Sequence, residues 1–368
     1  MHIVRTGTIM APEGVTAPVV PWLLAALAVA ALTHGYLWRR LFHDTRMRGA
    51  FGLVVGAVLL PTGMLCLLYM RVLPLAWSRP AMWVCFTYVG LLFFLLLGSG
   101  MIDLVTAFAP RSVRRSRVQA TLVVSGAVAL SLVSMRIALA PVQVHEVIVT
   151  APAALDGYRV VQLGDLHVGA MRGRTFVAEI VATVNAARPD LVVITGDLVD
   201  GTPEQLLGEL APLRDLTAPV YFVLGNHEHL SGADAWRRAL PTLGIHVLSD
   251  ERVPIGTLDL LGLDDERTPA RQAALASRGR YTIALAHEPR DVREVQGHGI
   301  AVQLSGHTHG GQLFPLHVLE RWNQGYLAGS YRVGDTLLLV SEGTGFWGPP
   351  MRLGSHPAIE LLVLRKGR

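Results

Sequence analysis

The chain has 368 residues, of which 51% are hydrophobic and 16% are charged, and its formal net charge at pH 7 is +4. Such an apolar and weakly charged composition excludes an ordinary soluble globular protein. The charge is uneven, because residues 1–140 contain 12 arginines and 3 acids, whereas residues 141–368 contain 20 basic and 25 acidic side chains. The mildly acidic C-terminal part argues against nucleic-acid binding, for which a basic face is expected.

The N-terminal part predicts a membrane region. Apolar stretches of near bilayer length cover residues 17–37, 50–70, 81–101 and 120–140. Because a helix needs about 20 apolar residues to cross a bilayer, this pattern predicts four transmembrane helices within residues 1–140. A cleaved signal peptide is the alternative for the first stretch, but it lacks a strongly basic leader and three stretches follow it. Cys66 and Cys85 lie inside these stretches, which indicates packing residues rather than a disulfide.

Arginines on either side of the stretches predict the orientation. Arginine-rich segments lie at residues 39–48, after the first stretch, and at residues 111–117, before the fourth. Short loops rich in Arg and Lys stay in the cytoplasm. We therefore expect a multi-pass protein of the cytoplasmic membrane whose N-terminus and C-terminal domain, residues 141–368, are both extracytoplasmic.

The C-terminal domain has the sequence pattern of repeated strand, loop and helix units. Short apolar, β-branched or aromatic runs predict strands at residues 158–163, 191–195, 220–224, 258–263, 282–286, 301–304, 336–340 and 359–364. Helical periodicity predicts helices at residues 175–187 and 203–213. This α/β pattern places ligand sites beyond the carboxyl ends of the strands.

Five polar clusters stand at the ends of predicted strands. They are Asp165-Leu166-His167, Gly196-Asp197, Gly225-Asn226-His227-Glu228, Ala286-His287 and Gly306-His307-Thr308-His309. Oxygen and nitrogen donors without thiolate suit Mn, Fe, Zn or Co. Two such ions about 3.5–4 Å apart need a carboxylate between them. Asp197, which stands alone at a strand end after Gly196, suits this role. The pattern predicts a hydrolytic enzyme with two divalent metal ions.

In this order, the clusters resemble the motifs of the calcineurin-like metallophosphoesterase superfamily, specifically its bacterial membrane-associated branch with a Gly-His-Thr-His-Gly-Gly-Gln block, here residues 306–312. The resemblance covers residues 145–364 and implies a two-sheet β-sandwich flanked by helices. One departure is Gly164, where many relatives have Ser, and it changes no ligand.

The resemblance also implies the residue roles. One metal would be held by Asp165, His167 and His309, the second by Asn226, His287 and His307, and Asp197 would bridge them. His227 would contact the phosphoryl group, where it stabilises charge or protonates the leaving oxygen.

We therefore expect a four-helix transmembrane region joined to an α/β metallophosphoesterase domain. Its expected reaction is hydrolysis of phosphodiester or pyrophosphate bonds in envelope or lipid-linked substrates by a hydroxide shared between the metals. A broad phosphomonoesterase and a non-catalytic, metal-dependent membrane sensor are the alternatives. Membrane lipids and a phosphoester substrate are the expected partners.

Several residues keep two interpretations. Arg352, in the Gly- and Pro-rich segment at residues 343–354, either grips a second phosphate or stabilises its loop. Asp200 and Glu228 either support ligand histidines or are solvated loop acids. The aromatic residues Trp347 and Trp322 either meet a lipid or nucleobase or pack in the core.

Overall fold

A computed structural model of the protein describes residues 19–47, 56–57, 75–110, 112–264, 270–275 and 279–367. Its α-helices are α1 (Val19–Trp38), α2 (Leu75–Val105), α3 (Val113–Ala138), α4 (Arg174–Ala186), α5 (Pro203–Leu206), α6 (Asn226–Ser231), α7 (Ala233–Ala239), α8 (Ala270–Leu275), α9 (Val292–Val295) and α10 (His317–Gln324). Its strands are β1 (Gln143–Ala151), β2 (Arg159–Leu163), β3 (Leu191–Thr195), β4 (Val220–Val223), β5 (Ile245–Leu248), β6 (Glu251–Ile255), β7 (Leu258–Leu263), β8 (Tyr281–Ala286), β9 (Val302–Ser305), β10 (Gly329–Val333), β11 (Thr336–Val340) and β12 (Ala358–Lys366).

Helices α2 and α3 form a long apolar hairpin. Among the described residues, these two helices are long and apolar enough to cross a membrane, and only 33% and 22% of their most apolar windows are buried. They coincide with the stretches predicted at residues 81–101 and 120–140, and α1 coincides with the first stretch. The stretch at residues 50–70, with Cys66, lies outside the described residues except for residues 56–57. The structure therefore supports two candidate spans and does not show the four that the sequence predicts.

The two arginine-rich segments meet at one end of this hairpin. Arg117 Nε donates to the carbonyl of Thr45 over 3.0 Å, and Arg40 forms an ion pair with Asp103 of α2. The opposite end of the hairpin contacts the C-terminal domain, where Arg172 donates to the carbonyl of Ala138 over 2.8 Å. The two arginine-rich segments and the Arg172 contact with the C-terminal domain thus lie at opposite ends of α3.

The C-terminal domain contains two six-stranded mixed sheets. One has the order β1-β12-β2-β3-β4-β5 and the other the order β10-β11-β9-β8-β7-β6. Strands β2 to β5 run parallel, as do β7, β8, β9 and β11, while β12–β2, β6–β7 and β10–β11 are antiparallel. The predicted pair of sheets is confirmed.

Buried apolar and β-branched residues explain why the central strands form. All five residues of β3 are buried, which is typical of a parallel strand covered on both faces. Leu191 and Val193 face the layer between the sheets, whereas Val192 and Ile194 face the layer that includes α4 and α7. Alternate side chains thus join the two sheets and the outer helices into one sandwich.

Two sequence predictions about secondary structure were wrong. The helix predicted at residues 203–213 is instead the single turn α5 and a 3₁₀ segment, Ala211–Asp215. Gly208 and Pro212 interrupt it, because glycine weakens a helix interior and proline cannot donate a backbone hydrogen bond there. Strands β1, β5, β6 and β10 were missed, and all four are edge strands of their sheets.

Candidate metal centre

The carboxyl ends of parallel strands from both sheets meet at one place. Asp165 follows β2 and Asp197 follows β3 in the first sheet, while His287 follows β8 and His307 follows β9 in the second. His287 Nδ1 donates to the carbonyl of Thr195 over 2.8 Å and so links the two sheets. This bond directs the His287 Nε2 atom toward the other polar side chains.

An unusual backbone conformation turns the proposed ligands inward. The φ angles are 53° at Asp165, 47° at His167, 52° at Asp197, 70° at His307 and 50° at His309. Residues other than glycine rarely adopt this left-handed backbone conformation, and those that do cluster at functional sites. The surrounding hydrogen bonds hold this arrangement, since the Asp165 carboxylate accepts from the His307 backbone N–H over 2.8 Å.

Gly196, just before Asp197, is required by the close approach of the two sheets. Its φ is 89°, and an added Cβ would lie 2.5 Å from His287 Nδ1. A side chain at this position would push His287 away from Asp197, so glycine is part of what lets both ligands enter one site.

Asp165, His167 and His309 form the first group of possible ligands. Their ligand atoms all lie within 4.8 Å of one another, and the Nε2 atoms of His167 and His309 are 3.0 Å apart. Ligand atoms about 2.1 Å from a metal are separated by about 3.0–3.4 Å in tetrahedral and octahedral sites. Asp165 Oδ2 is buried and has no hydrogen-bond partner among the described residues. A buried, unpartnered carboxylate oxygen beside two imidazoles fits a cation.

Asp197, His287 and His307 form the second group. The distance from His287 Nε2 to Asp197 Oδ1 is 3.3 Å, and that to His307 Nδ1 is 3.1 Å. Asn226 Oδ1 lies 3.0 Å from His287 Nε2 and 3.1 Å from His307 Nδ1. The amide oxygen of Asn226 is therefore a fourth possible ligand atom beside this group.

Asp197 lies between the two groups. While its Oδ1 faces His287, its Oδ2 is 3.8 Å from His167 Nε2. Burial raises the pKa of Asp197, but the nearby histidines outweigh burial and hold it well below its usual range. A charged carboxylate with one oxygen toward each group is the geometry required of a bridging ligand.

Two of the proposed ligand histidines, His307 and His309, are in the neutral form that binds metals. Burial and the neighbouring His287 lower the pKa of His307 to about 3. Burial and the neighbouring His167 lower the pKa of His309 well below its usual range. Both imidazoles are therefore neutral at neutral pH, as coordination requires.

One carboxylate, Asp200, orients both His167 and His227. Its Oδ1 accepts from His167 Nδ1 over 3.0 Å and from His227 Nδ1 over 2.6 Å. Burial raises the pKa of Asp200, but these two histidines outweigh it and bring the pKa below its usual range. Burial lowers the pKa of His227, but Asp200 and Asp197 raise it to about 9. Of the two interpretations of Asp200, the structure favours support of the histidines.

Glu228 supports the backbone around Asp197. Its buried carboxylate accepts from the backbone N–H groups of Asp197, Val199 and Gly225 over 3.0, 3.1 and 2.8 Å. Burial and the charge of Asp197 raise the pKa of Glu228 to about 7. The residue joins the loops after β3 and β4 and is no solvated loop acid.

The Arg352 side chain is completely buried. Its guanidinium donates to the carbonyls of Gly343 and Gly345 and to the carbonyl of His309, one of the proposed ligands. It also donates to Ser355 Oγ over 3.0 Å. This position favours loop stabilisation over contact with a second phosphate, and it makes Arg352 a positioning residue for His309.

Helix α2 reaches the edge of the site, which the sequence did not indicate. A small cavity beside the ligands is lined by Met82, Phe86, His167, Asp200 and Trp347, among others. The Trp347 ring stands edge-on to His227 with 5.7 Å between ring centroids. A larger groove of about 930 Å³ lies where the hairpin meets α4, and its lining includes none of the proposed ligands. Nothing in the sequence distinguishes Met82 and Phe86 from residues that face lipid.

Comparisons with known proteins identify the family to which the chain is similar. The calcineurin-like phosphoesterase family matches residues 158–311. An uncharacterized metallophosphoesterase of Helicobacter pylori is 39% identical over 219 residues, which are 56% of this chain and 59% of that protein. A transmembrane protein with metallophosphoesterase domain from Bos taurus is 35% identical over 317 residues, 76% of this chain and 71% of that protein.

A solved structure of a dimetal phosphatase from Danio rerio has 13% sequence identity and a TM-score of 0.35, covering 51% of this chain and 88% of that chain. The chain spans about three fifths of the length of the Helicobacter relatives.

Proposed function

Because the chain belongs to the calcineurin-like phosphoesterase family, we propose that it is a membrane-anchored phosphoester hydrolase with two divalent metal ions. The proposed substrates are phosphodiesters or pyrophosphates of envelope or lipid-linked compounds. The observation that carries the proposal is the Asp197 carboxylate, which has one oxygen toward each of two groups of ligand atoms.

The residues divide into two metal-binding sets. Asp165, His167 and His309 would hold one ion, Asn226, His287 and His307 the other, and Asp197 both. When bound, two divalent ions supply the charge that activates water and polarises phosphoryl oxygens. The nitrogen and oxygen donors suit Mn, Fe, Zn or Co.

His227 is the proposed catalytic side chain. Its Nδ1 is occupied by Asp200, and its Nε2 lies 3.9 Å from Asp197 Oδ2, beside the ligand groups. The side chain is 15% exposed, so a substrate can reach it. From this position Nε2–H donates to a phosphoryl oxygen or to the leaving oxygen.

The apolar hairpin supports membrane anchoring. Both of its helices leave most of their apolar windows unburied, and the two arginine-rich segments meet at the end away from the C-terminal domain. With positive residues in the cytoplasm, the C-terminal domain lies on the extracytoplasmic side. Contact of α2 with the edge of the site supports a substrate that is itself attached to the membrane.

Hydrolysis by the full-length protein in detergent tests the proposal. The protein is stripped of metal, resupplied with Mn, Fe, Zn or Co, and given chromogenic phosphate mono- and diesters. We expect metal-dependent diester hydrolysis that is lost in Asp197→Asn and His227→Ala and kept in Asp234→Asn, an exposed carboxylate on α7. Turnover of monoesters alone would indicate a phosphomonoesterase, and metal binding without any turnover would indicate a sensor.

A further inference from the structure

Helix α10 and Phe314, three residues before it, expose a ridge of large apolar side chains. The α10 ridge consists of Phe314, Val318, Leu319 and Trp322, which are 53%, 59%, 63% and 87% exposed. At about 100° per residue, the three helical members fall within an arc of about 100°. On another side of the helix, Gln324 is buried. An apolar helix face with this much exposed surface indicates an interaction surface.

The position of Leu313 places this ridge beside the hairpin. Leu313 directly precedes the ridge, is 4% exposed, and packs in one cluster with Phe94 of α2 and Ala127 of α3. Phe94 lies 11 residues before the end of α2 at Val105. That separation is about 16 Å along a helix, whereas the hydrocarbon core of a bilayer is about 30 Å thick. If Val105 marks one membrane surface, Leu313 contacts the hairpin at the depth of the hydrocarbon core.

From this placement, we infer that the α10 ridge inserts into the lipid leaflet next to the hairpin. The inference rests on the proposed membrane location. Arg321 is exposed and borders the apolar arc, a position in which it meets lipid headgroups. Trp322, the most exposed member, belongs to the residue type that anchors proteins at the boundary of the hydrocarbon core.

Insertion of the ridge would fix the distance of the candidate metal centre from the lipid surface. His309 precedes Phe314 by five residues, and the intervening Gln312 donates to the backbone carbonyl of Trp347 over 2.8 Å. The Trp347 ring in turn stands against His227. A short, hydrogen-bonded segment thus connects the ridge to the metal centre, which would be held at the lipid surface.

Depth-dependent fluorescence quenching tests the inference on the full chain. Cys66 and Cys85 are replaced by serine, and one cysteine at Leu319 carries an environment-sensitive fluorophore. The protein is reconstituted in vesicles of phosphatidylcholine and phosphatidylglycerol, with a nitroxide on the acyl chain or iodide in the water as quencher. Leu122→Cys, on the exposed side of α3, is the control for the membrane anchor. Thr257→Cys, exposed in the turn between β6 and β7, is the control for water.

We expect the acyl-chain nitroxide to quench the Leu319 label to within about twofold of the Leu122 label, while iodide quenches only the Thr257 label. A Leu319 label that iodide reaches as well as it reaches Thr257 would overturn the inference. So would a Leu319 label shielded from both quenchers, which would indicate contact with a second copy of the chain. If the Leu122 label also escapes the acyl-chain nitroxide, the proposed membrane location itself is wrong.

Discussion

Replacing Asp200 by asparagine tests whether one carboxylate orients both a proposed ligand and the proposed catalytic side chain. Asp200 Oδ1 accepts from His167 Nδ1 and from His227 Nδ1, over 3.0 and 2.6 Å. Asparagine has nearly the same shape, but its neutral oxygen is a weaker acceptor and its amide nitrogen cannot accept at all. The change therefore weakens two charge-assisted hydrogen bonds without opening a cavity.

The two bonds predict two separate effects. Loss of the carboxylate behind a metal-bound histidine weakens metal binding by about 10–100-fold. This factor corresponds to about 1.4–2.8 kcal/mol. Release of His227 removes an oriented proton donor, and general acid–base groups contribute about 10²–10⁴-fold to rate. At saturating metal, we therefore expect turnover of Asp200→Asn to fall by about 10²-fold or more.

Metal titration and diester hydrolysis, measured on the same preparations, separate these effects. In a His227→Ala background, Asp200→Asn should still weaken metal binding but should change turnover little, because its partner is already absent. Asp234→Asn is the matched control, since its side chain is 79% exposed and lies on α7. Unchanged metal affinity and turnover in Asp200→Asn would refute the assigned role.

Three further predictions concern stability. Chelation should lower the melting temperature, and metal at about 100 times its Kd should restore about 2.7 kcal/mol, which calorimetry of apo and reloaded protein measures; an unchanged melting temperature would contradict a metal site. Burial raises the pKa of Glu360 to about 7. The folded protein thus binds this proton more tightly than the unfolded chain does. The free energy of unfolding therefore falls by about 3 kcal/mol as pH rises from about 4.5 to 7. Glu360→Gln should therefore melt higher than wild type at pH 8 and equally at pH 4.5, and a gap independent of pH would contradict this. Arg352→Met leaves several buried carbonyls without a donor and should cost about 3–5 kcal/mol in chemical unfolding, against about 0.5 for the exposed control Arg238→Met; similar losses would show that the buried contacts are not stabilising.

The fold was predictable where strands are buried on both faces. The central strand β3 was placed to the residue, because all its side chains are apolar or β-branched and none needs water. The edge strands β6 and β10 were not predictable, since charged residues, Pro254 and Gly329 at their exposed positions break the apolar run. Their strand conformation comes from pairing with β7 and β11, which no local pattern contains.

The candidate ligands were predictable as types at strand ends, but their mutual geometry was not. That Asp197 follows a strand is visible in the sequence, whereas its position between His167 and His287 depends on how the two sheets pack. Asp200 had two interpretations until its bonds to both histidines were visible. The position of Met82 beside the site had no sequence signal, because apolar residue types are the same whether they face lipid or a cavity.

The number of metal ions per chain, measured with diester turnover on the same sample, tests the dinuclear centre most directly. Two ions per wild-type chain, and fewer than two in an inactive Asp197→Asn variant, are the predicted result. Full turnover with one ion or none, or two ions retained by an active Asp197→Asn variant, would contradict a centre bridged by this carboxylate.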